Sequence, residues 1–447
     1  MELNAEFQWK QEPAAERFVE RYLTSIVSRI PDLADFEEQL VEQTSSRLFD
    51  WVDHLSLPMN EELHFELELI GFTVDSVSKT ETLYRHKRAQ LPAIALNTGK
   101  RSGCYIKVDE ISAFLMVHGL KRKIEGALFS PYRRALVTEV SHCQFWVVER
   151  RGTRTLEPTH PGSSYLTKYM KAKEYWRTRP RTGEDEEGEI HQAIQLAKEL
   201  TAELGQDVAA SLVLEVEREF WQAKNRAGQI QKARQDHLGL GWANHDHHTF
   251  RSSRETFTLL VELFQVLGFH CRERFYAGEE AGWGAQVMEN ETASLVLFLD
   301  VDLSPEELMI DFSKEPLPGE KELGTIGLWC ALHGDSITSA GMHHLEAQFT
   351  FDQLKEDLEK RGVQMMDPFS DFSYLKQAFT EAERWWPSEA RIERLLDENL
   401  ISEEQSQVFL TEGAVGSHLE NLQRREGYKG FNQENVSKII RRTDPRN

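Results

Sequence analysis

The chain has 447 residues, of which 40% are apolar, and carries a formal net charge of −22 at pH 7. It is long enough for two or three domains, and its excess of acid argues against general binding to nucleic acid or anionic membranes, both of which favour basic surfaces. No apolar run reaches membrane-spanning length, the opening Met1-Glu2-Leu3-Asn4 lacks the basic-then-apolar order of a secretory leader, and Cys104, Cys143, Cys271 and Cys330 form no Cys-x-x-Cys pair, which fits buried thiols in a reducing cytosol.

Residues 13–57 read as helices, with Phe18, Tyr22, Ile26 and Ile30 at four-residue spacing and a second stripe from Leu40 to Leu48. Between 62 and 150 the pattern is mixed. The segments 91–96, 104–108 and 144–148 are strand-like, and Glu110 to Gly119 reads as a short helix ended by glycine. The mixture suggests an α+β domain over 1–150, a degenerate copy of a module that recurs later. Residues 151–188 read as a connection rich in proline and glycine. Its middle sets Lys168, Lys171, Lys173, Arg177, Arg179 and Arg181 beside Tyr165, Tyr169, Tyr175 and Trp176. A basic, aromatic segment can stack on single-stranded nucleic acid, but on an acidic chain an arm packed against the body is the better reading. Residues 189–236 are strongly helical, with a break near Gly205, and complete a charged connector over 151–240.

From 244 the pattern becomes regular. A strand over 244–251 precedes a capping box, Ser252-x-x-Glu255, and a helix through Phe257, Leu260, Val261, Phe264 and Leu267. Strands over 269–276, 283–289 and 295–303 follow, giving the order βαβββ. The order then begins again: a strand over 342–349, a Thr350-x-x-Gln353 cap and a helix through Leu354 and Leu358, a strand over 363–366, helical material from Tyr374 to Leu400, and strands over 406–410 and 417–422. The domain 241–447 is thus a repeat of pattern. The fold class expected is α+β, with paired βαβββ modules preceded by a mixed domain and a helical connector.

Two such units side by side form a curved sheet whose first and last strands line its middle. Residue alternation in the strand 244–251 sets His245, His247, Thr249 and Arg251 on one face. The first strands carry His247 and His344, and the closing strand of the second unit carries Glu420. Two imidazoles and one carboxylate on one face of an octahedron leave three open positions, a set that suits Fe(II) better than tetrahedral zinc. Glu346 shares a face with His344 and competes with Glu420, His343 competes with His344, and Asp300 and Asp302 end the first unit within reach of a ligand role.

The motifs in this half resemble the 2-oxoadipate dioxygenase/decarboxylase family, the 2-hydroxyglutarate synthase-like enzymes of vicinal oxygen chelate fold. The resemblance runs over residues 240–447. It rests on Asp246-His247-His248-Thr249-Phe250-Arg251, on Phe298 to Pro305, on Met342-His343-His344-Leu345, on Glu420-Asn421-Leu422-Gln423-Arg424, and on Gly427 to Phe431 with Lys438-Ile439-Ile440. His343 stands where the family usually has asparagine. The resemblance implies an Fe(II) site at His247, His344 and Glu420, with Arg251 gripping a substrate carboxylate through its planar fork.

It further implies an iron-dependent oxygenase/decarboxylase that takes a small 2-oxo acid and dioxygen and releases carbon dioxide and a 2-hydroxy acid. The rivals are a metal-dependent lyase or isomerase of the same fold, and a non-catalytic binding protein on an eroded oxygenase scaffold. A cytoplasmic enzyme with no membrane partner is expected; the oligomeric state is not legible.

Overall fold

A computed structural model describes residues 8–279, 281–319, 322–432 and 443–446. Two helices lead, α1 (Pro13–Val27) and α2 (Pro31–Thr44), each with proline in its first turn, where a missing N–H costs nothing. Then come β1 (Val52–Pro58), α3 (Glu61–Leu69), β2 (Phe72–Val77), β3 (Glu81–His86), β4 (Ala93–Asn97), β5 (Ser102–Lys107), α4 (Ile111–Val117), β6 (Ile124–Glu125), β7 (Tyr132–Val140) and β8 (Cys143–Arg150). The helices α5 (Ser164–Arg177), α6 (Glu186–Leu204), α7 (Gln206–Ala223) and α8 (Arg226–Asp236) follow.

The second half holds β9 (His245–Arg251), α9 (Phe257–Val266), β10 (His270–Tyr276), β11 (Trp283–Asn290), β12 (Leu295–Asp302), α10 (Thr325–His333), β13 (His344–Ala347), α11 (Phe351–Glu359), β14 (Ser370–Phe372) and β15 (Leu375–Phe379). It closes with β16 (Arg384–Trp385), α12 (Glu389–Asp397), α13 (Glu403–Glu412), β17 (Ala414–Val415) and β18 (His418–Arg424).

The protein is α+β, with two mixed eight-stranded sheets. The first runs β2-β3-β4-β1-β5-β8-β7-β6 and the second β10-β11-β12-β9-β13-β18-β15-β14. These are the same order, unit for unit. The N-terminal half therefore repeats the βαβββ pair in full rather than as one worn copy. In each sheet the two units meet through their antiparallel first strands, β1 on β5 and β9 on β13.

Each sheet has its own core. Helices α1, α2 and α4 cover the first, where Phe18, Ile26, Leu33, Phe36 and Trp51 are buried. Helices α5–α7, α9 and α11 cover the second through residues such as Trp176, Ile194, Leu212, Phe264 and Leu354. The halves are tied by main-chain bonds from Asp109 to Leu240, Thr350 to Ser45 and Glu12 to Glu426.

Several elements differ from the sequence expectations. Val52–Pro58 is a central strand, not helix, because it is paired on both edges. The basic segment near 168–181 is largely helical and packed down: Tyr169 and Trp176 are fully buried, Lys173 pairs with Glu215 and Glu219, and Arg179 and Arg181 both reach the buried Glu217. Neither expected capping box in the second half forms. Ser252 and Thr256 turn their hydroxyls to Asp335, and α9 starts at Phe257; Gln353 reaches the Val41 carbonyl instead of its own helix.

Residues 363–366 form no strand; Met365 makes an isolated bridge to Thr380. Leu375–Phe379, expected as helix, is a strand because β18 offers it a full edge, and 406–410 lies inside α13, whose true start is the capping box of Ser402 and Gln405. Lys438-Ile439-Ile440 lies outside the described residues. Among the described residues, no helix is long and apolar enough to cross a membrane.

Candidate metal centre

Side-chain alternation in the second sheet separates an oily face from a polar one. Phe250, Leu297, Leu299, Leu345 and Leu419 point into the helix-covered core. Their neighbours His247, Thr249, Arg251, Phe298, Asp300, His344, Glu346 and Glu420 point the other way, into a cavity of about 70 Å³.

Cross-strand register then gathers the ligating groups. Glu346 on β13 stands opposite His247 on β9 and opposite Glu420 on β18, so three adjacent strands present one polar row. His344 sits one pleat along β13 from Glu346, on the same face. The result is a buried group of His247, His344, Glu346 and Glu420, whose candidate ligand atoms all lie within 4.8 Å of one another. His247 Nε2 is 2.5 Å and His344 Nε2 is 2.7 Å from Glu346 Oε1, and His344 Nε2 is 3.6 Å from Glu420 Oε2.

The structure thus brings together His247, His344 and Glu420, and adds Glu346 at their centre. Of the two adjacent histidines, it is His344 whose Nε2 faces the carboxylates. His343 touches it through Nδ1 at 2.6 Å and leaves its own Nε2 buried without a partner.

The surroundings aim these groups. His247 Nδ1–H donates to Asp246 Oδ1 at 3.2 Å, which leaves Nε2 free to face the cluster. Asp246 is itself gripped by the fork of Arg424 at 3.2 and 3.1 Å and by Gln348 at 3.0 Å. Gln377 donates to Glu420 Oε1 at 3.0 Å.

Burial controls the charges. It pushes His247 down to about 4 against the pull of Asp246, and His344 well below the ordinary value, so both imidazoles are neutral and their lone pairs free. Burial pushes Glu420 up to about 7, and burial together with Glu420 holds Glu346 well above the carboxylate range. Among the described residues neither carboxyl group is paired with a lysine or arginine. Among the described residues Glu346 Oε2 meets no donor. Asp246 stays ionised, since Arg424 and His247 outweigh the cost of its burial.

A divalent first-row cation fits this set. Two neutral nitrogens and two buried carboxyl groups without a lysine or arginine partner are the donors such an ion takes, and its binding would release any proton they hold. Among the described residues it is the one cluster of three or more potential ligands. The first sheet has no counterpart. Across β1, β5 and β8 its central row is His54–Tyr105–Trp146, a stack of rings with centroids 4.0 and 5.6 Å apart.

Arg251 and Asp300 complete the chamber. Arg251 is 4% exposed, stands 5.3 Å over the Trp329 ring, and leaves Nε and Nη1 without acceptors. Asp300 faces it from β12, has an unpartnered Oδ1, and is pushed by burial up to about 7 despite the guanidinium. Asp302, one pleat on, instead accepts the main-chain N–H groups of Ile326 and Gly327 and anchors α10. Phe298, Phe379 and Phe431 wall the space with rings. Cys330 is buried and its thiol pushed well up by that burial, so it is no thiolate ligand.

No protein-family model and no curated protein matches the chain. Among solved structures it is similar to a triple mutant of 4-hydroxymandelate synthase from Streptomyces coelicolor, at 12% identity and TM-score 0.29 over 90% of this chain and 98% of that one. It is also similar to methylmalonyl-CoA epimerase from Mycobacterium tuberculosis, at 11% identity and TM-score 0.24 over 41% and 89%. A third is the uncharacterised protein YdcJ from Shigella flexneri, which includes domain DUF1338, at 11% identity and TM-score 0.23 over 53% and 72%.

Proposed function

We propose that this protein is a non-haem Fe(II)-dependent oxygenase/decarboxylase of a short 2-oxo acid. The observation that carries the reading is the meeting, in one buried chamber, of a His/Glu cluster with an arginine that has two donors without acceptors among the described residues. His247, His344 and Glu420 would hold the ion, with Glu346 beside them as a fourth donor or as the group that takes the displaced proton. When bound, Fe(II) supplies the electrons and open coordination positions that let a 2-oxo acid react with dioxygen. Everything else falls to the chain.

Arg251 takes the substrate's remote or 1-carboxylate in a two-pronged grip, since among the described residues no acceptor holds its Nε or Nη1. Asp300, near 7, donates to or accepts from a substrate hydroxyl or carboxyl as it arrives. The phenylalanines exclude water, which strengthens each of these contacts. A space of about 70 Å³ holds on the order of five waters, which favours an acid at the short end of the class.

The test is oxygen uptake by protein reconstituted anaerobically with Fe(II), scanned over 2-oxo acids of increasing length. One carbon dioxide and one 2-hydroxy acid should appear per oxygen consumed. A second reading, a metal-dependent lyase or isomerase, is favoured by Glu346 alone, an extra carboxyl group inside the cluster whose Oε2 meets no donor among the described residues. Solvent-hydrogen exchange into a substrate without oxygen uptake would establish that reading and end the first.

A further inference from the structure

A second cavity, of about 1070 Å³, lies between the two halves, bounded by strand ends of the first sheet, by α7 and by the start of β9. Eleven basic and eleven acidic residues line it, so its wall is balanced in a chain of net charge −22. The acids are nearly all engaged. Asp53 is held by Arg150, Asp75 by Arg85 and Arg154, Asp246 by Arg424, Glu289 by Lys429 and Arg272, and Glu215 by Lys173.

Among the described residues three of its cations make no ion pair; Lys87 is exposed, and Lys107 and Arg218 are part-buried. Lys107, the last residue of β5, is part-buried and makes no hydrogen bond or ion pair. Its nearest charges are Asp53 and Asp246, both already bound to arginines, together with Arg150 and Arg85 themselves. Arg218 on α7 makes no ion pair among the described residues; its one side-chain bond is to His248 Nε2 at 3.0 Å, and it interacts at longer range with the carboxylates of Asp109 and Glu215. His245, which lines the same space, donates Nδ1–H to the Trp242 carbonyl at 2.8 Å. Cations set back from bulk water without an anion cost stability unless a ligand completes them.

We propose that this cavity is a second ligand site, for a small organic anion whose phosphate or carboxylate head is taken by Lys107 and Arg218. Lysine supplies the point charge and arginine the directional fork that such heads use. The site lies outside the chamber of His247, His344 and Glu420, so it stands or falls apart from the iron reading.

The experiment is calorimetric titration of the full chain with inorganic phosphate and, separately, with citrate, at fixed ionic strength. Saturable binding of either probe is expected, weakened at least tenfold in Lys107→Met and in Arg218→Gln and retained in Lys107→Arg. Phosphate alone would name a phosphorylated ligand, and citrate alone a polycarboxylate. Thermal melts of the variants without ligand, expected at or above the parent, and metal binding, expected to match it, show that the fold and the other site are intact. Absence of saturable binding in the parent, or equal affinity in Lys107→Met, would overturn the proposal.

Discussion

Replacing Asp246 with asparagine separates two jobs that one carboxylate performs. Asp246 receives His247 Nδ1–H, two bonds from Arg424 and one from Gln348. Asparagine offers one acceptor oxygen where there were two, so half of the Arg424 fork loses its partner. Arg424 is 6% exposed and keeps only the carbonyls of Tyr428 and Gly430. Breaking a buried ion pair of this kind costs about 3–5 kcal/mol, and the remaining carbonyl contacts put the expectation at the lower end, about 3 kcal/mol.

The second effect falls on the metal. Without a carboxylate to hold Nδ1–H, His247 loses its fixed tautomer, and affinity for a divalent ion should fall about 10- to 100-fold, or about 1.4–2.7 kcal/mol. Urea denaturation of metal-free protein reads the first number, and competitive metal titration at a temperature where the variant is folded reads the second. A variant destabilised as expected but with metal affinity within about twofold of the parent would refute the orienting role and leave Asp246 as a structural ion pair.

Burial holds His333 down at about 3 against an unfolded value near 6.5, so the stability it contributes is complete above 6.5 and lost as pH falls toward 3. Between pH 7.5 and 5 that loss is about 2 kcal/mol; His333→Gln, which keeps a donor for the Val415 carbonyl, should lose that much less over the interval, and parallel stability–pH curves would disprove it. Glu217→Gln strips the charge that Arg179 and Arg181 share in a fully buried place, and should lower stability by about 3–5 kcal/mol in chemical denaturation. Arg251→Lys should raise KM for a 2-oxo acid by tenfold or more while metal affinity changes less than twofold; equal loss of both would make Arg251 structural.

The parts of this molecule that could be read from sequence are those set by one strand or one helix. Alternation along 244–251 put His245, His247, Thr249 and Arg251 on one face; the structure has the last three there, but His245 lines the other cavity beside His248, because the register shifts between Glu346 and Ala347 opposite it. The second sheet's first unit was legible because each strand is bounded by a turn signal and runs of Val, Ile, Leu and Phe. What depends on pairing was hidden. Glu346 shares a face with His344 in any reading, but only the register of β13 between β9 and β18 makes it the centre of the row.

The first sheet was obscured for a related reason. β2 is exposed at five of its six positions and shows no inward stripe, and β1 follows two helices without a turn between apolar runs. The caps failed on distance. Asp335 lies 83 residues from Ser252 and 79 from Thr256, yet takes both hydroxyls. A local box has no defence against a buried carboxylate that arrives from elsewhere in the fold.

The most direct measurement is anomalous diffraction at the iron edge from crystals of the protein reconstituted with Fe(II) without oxygen. One peak should appear per chain, about 2.0–2.2 Å from Nε2 of His247, Nε2 of His344 and a carboxylate oxygen of Glu420, the distances such ligands require. It should vanish in His247→Ala. A peak elsewhere, or a full peak that survives that substitution, would contradict the assignment of this cluster as the metal centre.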